Sequence, residues 1–300
     1  MRILVKTANH RHNVRRFHMY DFFKEFSRQS GADLSYKRQR GKYDVVIGGI
    51  NKNGLSVKII TDLHEGIGVD SPHHRLEIIN SRPWDIVLMR YMYINYEGIP
   101  KTFFQEGIKA KKVLFPWSLC EERWKYSEAK DNDVTTLGTS VESMYPLRAD
   151  IRKSLPLPYK TISGNIPVHI KRDNNALKKK HKGIYVGESY INALQRSKVM
   201  LTDASRYGCP VKKYFEAIAT GCLLMADRPN HADEIGLVAG ENYVEISKDN
   251  WREKLDYYLA NETERLKITR NARELFERKH TNKVRAKELI WNLNKVMHQG

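Results

Sequence analysis

The sequence predicts an α/β protein of two lobes, each built on a mainly parallel sheet. Short apolar runs are separated by helix-length stretches, the arrangement of parallel sheets that are covered by helices on both faces. This pattern stops in a charged passage at 121–133 and then starts again. The 300 residues are enough for two domains of ordinary size. We therefore expect a first lobe at 1–120 and a second at 131–281, with a helix at 282–300 that packs back on the first lobe.

In the first lobe, β-branched and apolar runs predict the strands, and an amphipathic stretch predicts a helix between the first two. The expected strands are 3–5, 43–49, 57–61, 85–89 and 112–115. The helix at 17–30 places Phe22, Phe23 and Phe26 on its inner face.

The second lobe repeats the pattern. We expect strands at 134–138, 183–186, 198–202 and 222–226, and helices at 145–155, 190–197 and 212–220. Gly221 suits the end of the last of these helices, where a left-handed backbone is common. From Trp251 onward the chain is predicted to be helical.

Charge is the unusual bulk property, because 52 Lys and Arg residues against 35 Asp and Glu residues give a formal net charge of +17. Such an excess favours polyanionic partners, although a merely well-solvated basic surface is an equal alternative. No run approaches the ~18–20 apolar residues of a membrane helix. The apolar run after Met1 is too short for a secretory signal, and three cysteines without ligand spacing indicate reduced thiols. We therefore expect a cytoplasmic protein.

The segment 212–221 carries the strongest indication of chemistry. Lys212 and Lys213 begin a predicted helix, where backbone N–H groups and the helix dipole favour an anion. Glu216 follows one turn later, and a carboxylate there suits the two hydroxyls of a ribose. The pattern predicts a nucleoside diphosphate site, with an ordinary surface helix as the alternative.

The same segment, Lys213 to Gly221, resembles the basic-x-Phe-Glu-Ala-x-Ala-x-Gly signature of two-lobed (GT-B) glycosyltransferases, which have two Rossmann-like lobes facing across a cleft. The resemblance covers roughly 112–290 and is strongest to the spore-maturation CgeB-like group of family-4-like enzymes. It includes Pro116-Trp117-Ser118, Leu137-Gly138-Thr139, Tyr145-Pro146-Leu147-Arg148 and the stretch from Tyr190 to Leu201.

This resemblance implies transfer of a sugar from a nucleoside diphosphate sugar, UDP-sugar foremost, to an acceptor hydroxyl. It implies that Lys213 contacts the diphosphate and Glu216 the ribose, that Gly138 and Thr139 allow close approach of the phosphates, and that Arg148 adds charge. Many family-4-like enzymes carry a second glutamate eight positions before the first, but here that position is Gly208. The sugar contacts and the stereochemical outcome are therefore left open.

The first lobe is expected to supply the general base. Asp62, His64 and Glu65 directly follow a predicted strand, and so face the cleft at the carboxyl edge of the sheet. A histidine flanked by carboxylates can take a proton from an acceptor hydroxyl near neutral pH. A loop histidine that is hydrogen-bonded in a turn is the alternative.

A basic segment after the first strand is the candidate acceptor site; its residues are His10, Arg11, His12, Arg15 and Arg16. It suits a phosphate-rich acceptor, such as DNA or a lipid- or cell-wall-linked glycan. A loop that binds the donor phosphates or is merely solvated is an equal alternative.

Metal-independent chemistry is expected. The run Asp131-Asn132-Asp133 fits an Asp-x-Asp metal signature, but it precedes a strand instead of following one, which predicts a turn. Two other functions stay open at this point: a DNA-modifying glycosyltransferase that acts on hydroxymethylated bases, and a catalytically silent nucleotide-binding protein of the same fold. No cofactor is expected besides the nucleotide sugar itself.

Overall fold

The computed structural model describes residues 1–6, 17–35, 42–60 and 71–298. Its first lobe contains a parallel sheet with three helices in the described residues. The strands are β1 (Ile3–Lys6), β2 (Asp33–Ser35), β3 (Val45–Ile47), β4 (Leu55–Ile60), β5 (Ile86–Met89) and β6 (Lys111–Leu114), in the order β2-β1-β3-β4-β5-β6. The helices are α1 (Phe17–Ser30), α2 (Pro72–Asn80) and α3 (Phe103–Gly107).

The second lobe also has a parallel sheet. Its strands are β7 (Asn132–Leu137), β8 (Thr161–Gly164), β9 (Ser197–Leu201), β10 (Leu223–Ala226) and β11 (Val244–Glu245), in the order β11-β10-β9-β7-β8. The helices are α4 (Pro146–Lys153), α5 (Val168–Arg172), α6 (Glu188–Gln195), α7 (Lys212–Thr220), α8 (Ala232–Ile235), α9 (Trp251–Ala260), α10 (Glu262–Leu275) and α11 (Asn282–Met297). A short 3-10 helix (Ala176–Lys178) and a π-helical turn (Phe276–His280) complete the described part.

Both sheets are parallel throughout their described strands. In the first sheet Val87 of β5 lies opposite Lys58 of β4 and Lys112 of β6. Parallel strands need crossover connections, so both faces are covered and the central strands are apolar on both sides. All four residues of β5 and of β10 are buried accordingly. The predicted fold class of two Rossmann-like lobes is confirmed.

The last helix belongs to the core of the first lobe. Leu289 and Leu293 of α11 are buried in one cluster with Ile3 and Val5 of β1 and Phe26 of α1. Burying such side chains contributes about 1.5–3 kcal/mol each. The C-terminal helix therefore completes a core that the first strand begins.

Two stretches of chain cross between the lobes and are hydrogen-bonded to each other. The N–H of Leu119 donates to the carbonyl of His280 at 3.0 Å, and the N–H of Asn282 donates to the carbonyl of Leu119 at 2.9 Å. The Ser118 hydroxyl donates to the side-chain oxygen of Asn282 at 2.8 Å. The connection between the lobes is thus a short two-stranded ribbon.

Two local predictions are wrong. Residues 183–186 form no strand, and the edge position of the second sheet belongs to β8, which has only four residues. Asn132 and Asp133 are part of β7, where a turn was expected. No helix of the described ranges is long and apolar enough to cross a membrane.

Candidate functional site

A pocket lies where β7 and β8 end and α7 begins. Helix α7 starts after Val211, whose side chain cannot accept a hydrogen bond, so no side chain of the N-cap residue satisfies the first N–H groups. The helix ends at Gly221, which has a left-handed backbone with φ 74°. Between them, Tyr214 to Thr220 are buried and fix the helix against the sheet.

This pocket, called the β7–α7 pocket below, has a volume of about 550 Å³ including its open mouth. It is lined by Leu137, Gly138, Gly164, Asn165, Ile166, Gly183, Tyr185, Val186, Gly187, Tyr190, Lys212, Lys213 and Glu216. Lys212, Lys213 and Glu216 of α7 thus line the same pocket as Gly138, which directly follows β7.

Glu216 is buried and doubly held. Its carboxylate accepts a 2.6 Å hydrogen bond from the Tyr190 hydroxyl and lies 2.9 Å from the Lys212 ammonium. Burial raises the pKa of Glu216, but the Lys212 and Lys213 charges outweigh burial and hold that pKa below its ordinary value. The carboxylate is therefore ionised and kept in one orientation.

Lys213 is the unbalanced cation of the site. Burial lowers the pKa of its ammonium to about 7, and the positive charges of Arg148, Lys212 and Arg152 act in the same direction, against Glu216. Within the described residues its ammonium makes no ion pair. An anion in the β7–α7 pocket would supply the missing negative charge.

Gly138 leaves the space that Lys213 fills. A Cβ atom at position 138 would overlap Cε of Lys213 and lie 2.6 Å from its Nζ, so the end of the lysine would have to move. Gly138 also has φ 110°, a backbone conformation that side chains disfavour. The backbone therefore favours glycine here, and glycine leaves room for the Lys213 ammonium.

Thr139 and Arg148 lie beside the pocket and are absent from its lining. Arg148 forms a buried ion pair with Asp203 at 2.8 Å and donates to the Thr139 carbonyl at 2.6 Å. The Thr139 hydroxyl accepts from Lys171 at 2.8 Å. Arg148 therefore holds the loop after β7 in place, and its charge is paired with Asp203.

Gly208 lies against a contact between the two lobes. Gly208 has φ 65°, and a Cβ there would lie 2.5 Å from Nδ2 of Asn230. That amide nitrogen donates to the carbonyls of Tyr207 and Tyr93, each at 3.2 Å, and so joins the two lobes. A contact between lobes thus occupies the volume that a larger residue 208 would need.

His231 makes a second contact between the lobes. Its Nε2 accepts hydrogen bonds from the N–H groups of Met92 at 2.8 Å and Tyr93 at 3.0 Å, and its ring stacks on Tyr93. Burial lowers the pKa of His231 to about 4, against the opposite effect of Glu234. The imidazole is neutral at physiological pH and acts as a fixed acceptor for the first lobe.

Asp133 has structural partners. Its carboxylate pairs with Lys198 at 2.8 Å and accepts from the N–H of Lys160 at 3.1 Å. In the part of the chain that the structure describes, no group of three potential metal-ligating side chains lies together. The candidate bases Asp62, His64 and Glu65, and the candidate acceptor residues, lie outside the described residues; the latter are His10, Arg11, His12, Arg15 and Arg16.

Sequence reasoning missed Tyr190 as a site residue. Tyr190 lies on α6, 26 positions before Glu216, and its hydroxyl is buried against that carboxylate. Burial, followed by the charge of Glu216, raises the pKa of Tyr190 well above its ordinary value, so the hydroxyl keeps its proton. In the sequence, Tyr190 follows Ser189 in a short amphipathic helix. That pattern does not indicate that the tyrosine hydroxyl contacts Glu216.

Two parallel-sheet lobes, with a basic helix N-terminus and a buried carboxylate at the carboxyl ends of the second sheet, match the GT-B fold. Residues 152–290 match the protein family described as "Glycosyl transferase-like". No curated protein matches the sequence. The CgeB-like subgroup, expected from the resemblance, is not confirmed by these comparisons.

Solved structures of the same fold span the whole chain. Sucrose-phosphate synthase from Thermosynechococcus elongatus is 9% identical with a TM-score of 0.68, and all of both chains is covered. HepE from Anabaena, in complex with UDP-glucose, is 12% identical with a TM-score of 0.62, covering 98% of this chain and 100% of HepE. A glycosyltransferase from Rickettsia africae is 10% identical with a TM-score of 0.57, covering 100% and 99%. These structures share the two-lobed GT-B fold of the chain, and the family match covers most of its second lobe.

Proposed function

We propose that the protein transfers a sugar from a UDP-sugar to an acceptor hydroxyl, without a metal ion at the diphosphate. The observation that carries this proposal is the pair of charges in the β7–α7 pocket: the unbalanced ammonium of Lys213 and the fixed carboxylate of Glu216. A nucleoside diphosphate offers an anion to the first and two ribose hydroxyls to the second. HepE, whose fold is shared, was solved with UDP-glucose, which supports uracil as the base of the donor.

In the proposed reaction, the bond between the sugar and the diphosphate breaks, and negative charge develops on the departing phosphate oxygen. Lys213 and the N–H groups at the start of α7 stabilise that charge. Lys212 is engaged with Glu216 and keeps the ribose-binding carboxylate ionised. The protein thereby supplies positive charge to the leaving group from its own side chains.

The proton of the acceptor hydroxyl goes to a base of the first lobe. We assign this role to His64, with Asp62 and Glu65 as the orienting or substitute carboxylates, because they follow β4 in the sequence and β4 ends at the carboxyl edge of the first sheet. The basic segment with His10, Arg11, His12, Arg15 and Arg16 follows β1 in the sequence and is proposed to receive an acceptor that carries negative charge.

Isothermal titration of UDP-glucose, with and without Mg²⁺ and a chelator, tests the donor site. Lys213→Met and Glu216→Gln should each weaken binding at least tenfold, about 1.4 kcal/mol. Lys267→Met on the exposed surface of α10 is the matched control and should bind normally. UDP-glucose affinity that is unchanged in both site variants would refute the assignment.

Donor hydrolysis tests the chemistry separately from binding. His64→Ala should retain UDP-glucose affinity and lose most of the release of glucose and of transfer, since the base acts on the attacking hydroxyl. Wild-type protein that binds UDP-glucose, yet neither hydrolyses nor transfers it under any acceptor condition, would show a silent binding protein instead.

A further inference from the structure

A second cavity lies on the first lobe, at the edge opposite the carboxyl ends of its strands. It is lined by Ile79, Asn80, Ser81, Arg82, Pro83, Trp84, Lys109 and Ala110, which we call the basic groove. Trp84 immediately precedes Asp85 and β5, and Ala110 immediately precedes β6, so the groove is at the amino ends of these strands. Its volume is about 760 Å³ including its open mouth.

The frame of the groove is rigid. The Asn80 side chain donates to the carbonyl of Gly107 at 2.9 Å and accepts from the N–H of Lys109 at 3.0 Å. These two bonds join the end of α2 to the loop before β6. The N–H of Lys111 also donates to the carbonyl of Asp85 at 3.0 Å. The two walls of the groove are therefore held at a fixed separation.

Positive charge lines the groove without compensation. Arg82 and Lys109 are exposed, and no Asp or Glu is among the lining residues. Lys58 adds a third cation: its ammonium lies 5.5 Å from the centre of the Trp84 ring. Among the described residues none of these three cations forms an ion pair. Burial lowers the pKa of Lys58, and the Arg82 charge lowers it further.

The groove also has apolar lining residues, namely Pro83, Ala110 and a half-buried Trp84 ring. A recess that combines one aromatic ring with exposed cations fits a sugar ring that carries an anionic substituent. A flat lipid surface would meet the exposed cations but not a half-buried ring in a recess. Single-stranded nucleic acid is bound by several successive aromatic rings, whereas one tryptophan lines this groove.

We propose that the basic groove binds an anionic glycan, a chain of sugar rings bearing phosphate, sulfate or carboxylate groups. In the proposed transfer reaction, the groove would hold a part of the acceptor that lies far from the reacting hydroxyl. This role in transfer rests on the proposed glycosyltransferase function, whereas the binding of the glycan does not. The groove and the carboxyl edge of the sheet are separated by at least the length of the four-residue strand β5, about 13 Å. Only an extended acceptor chain can occupy both.

The test is titration of a heparin hexasaccharide, the anionic probe, against wild type and two double variants. Arg82→Glu/Lys109→Glu reverses two charges in the groove, and Lys267→Glu/Lys287→Glu reverses two exposed charges on α10 and α11. Both double variants change the net charge equally. We expect the groove variant to lose about tenfold or more in affinity and the control less than twofold. Equal losses in both variants would overturn the proposal.

Two comparison ligands and one further variant complete the design. Trp84→Leu should weaken the hexasaccharide while leaving the charges in place. Neutral maltohexaose should not bind, and a dT12 oligonucleotide should not distinguish the groove variant from its control. If the oligonucleotide depends on the groove as strongly as the hexasaccharide does, the glycan assignment is wrong. Unfolding temperatures verify that each variant folds, and UDP-glucose titration of wild type reports separately whether the proposed donor function fails.

Discussion

The side chain of Lys213 occupies the space that a side chain on Gly138 would need, and the two residues meet at the mouth of the β7–α7 pocket. The ideal Cβ of residue 138 would lie 2.6 Å from the Lys213 ammonium. This contact couples the end of the first strand of the second lobe to the start of α7. A side chain at position 138 would therefore displace the Lys213 ammonium, whether or not a ligand is bound.

Gly138→Ala should displace Lys213 and weaken UDP-glucose binding by about tenfold or more, because the added methyl group also strains a backbone with φ 110°. Gly164→Ala is the matched control. It ends the neighbouring strand and lines the same pocket, but its Cβ would be in ordinary contact with Leu137 at 3.8 Å. Isothermal titration should show near wild-type affinity for the control, and equal losses in the two variants would contradict the assignment.

Binding of UDP-glucose should weaken as the pH rises through neutrality. The pKa of Lys213 is lowered to about 7, and a bound diphosphate raises it, so binding takes up a proton once the pH exceeds that value. The dissociation constant should then rise with a limiting slope of about tenfold per pH unit. Titrations from about pH 6 to about pH 8.5 measure the slope. In Lys213→Arg, which stays charged, the affinity should not change over this range.

Tyr190→Phe should reveal what holds Glu216. The variant loses a 2.6 Å hydrogen bond to a buried carboxylate, which should lower the free energy of unfolding by about 1–3 kcal/mol. UDP-glucose affinity should fall severalfold, because the carboxylate is no longer held in one orientation. Tyr257→Phe, on a tyrosine that is 51% exposed, is the control for urea unfolding and titration. Equal stability of the two variants would show that the bond contributes nothing.

The contact between the lobes at His231 should weaken in acid. Because the folded-state pKa of about 4 lies below the ordinary 6.5, its stabilisation is fully present above pH 6.5 and is lost as the pH falls toward 4. The full effect is about 3 kcal/mol. Burial also lowers the pKa of His280, to about 3, so His280 loses its stabilising effect over an overlapping pH range. The pH profile of the wild type alone therefore cannot separate the two histidines. His231→Gln keeps an acceptor and should show a shallower fall in urea-measured stability; identical pH profiles would remove His231 from this role.

Sequence patterns located α7 and the central strands of both lobes because these elements carry long apolar runs and clear end signals. Gly221, for example, ends α7 as expected. The edge strands β2 and β8 were not predicted, because three or four partly buried residues are too few to show a strand pattern of hydrophobicity. Residues 183–186 look like a strand because of Ile184 and Val186, but they form none, and Gly183, Tyr185 and Val186 line the β7–α7 pocket.

Local spacing predicted that Lys212 and Lys213 begin a helix, and they do begin α7. The partners of the site residues could not be predicted in this way. Tyr190 reaches Glu216 from another helix, Asp203 in the loop after β9 pairs with Arg148, and Asn230 fills the space beside Gly208. Each of these contacts depends on how distant segments are placed, which spacing along the chain does not encode.

The return of α11 to the first lobe has a consequence for how the protein is made. Leu289 and Leu293 share a core with Ile3 and Val5, although almost the entire chain separates them. During synthesis, the first lobe emerges from the ribosome without the helix that covers β1, whereas all strands of the second lobe precede residue 246. The second lobe can therefore complete its core first, and the first lobe can complete its core only after α11 has been translated.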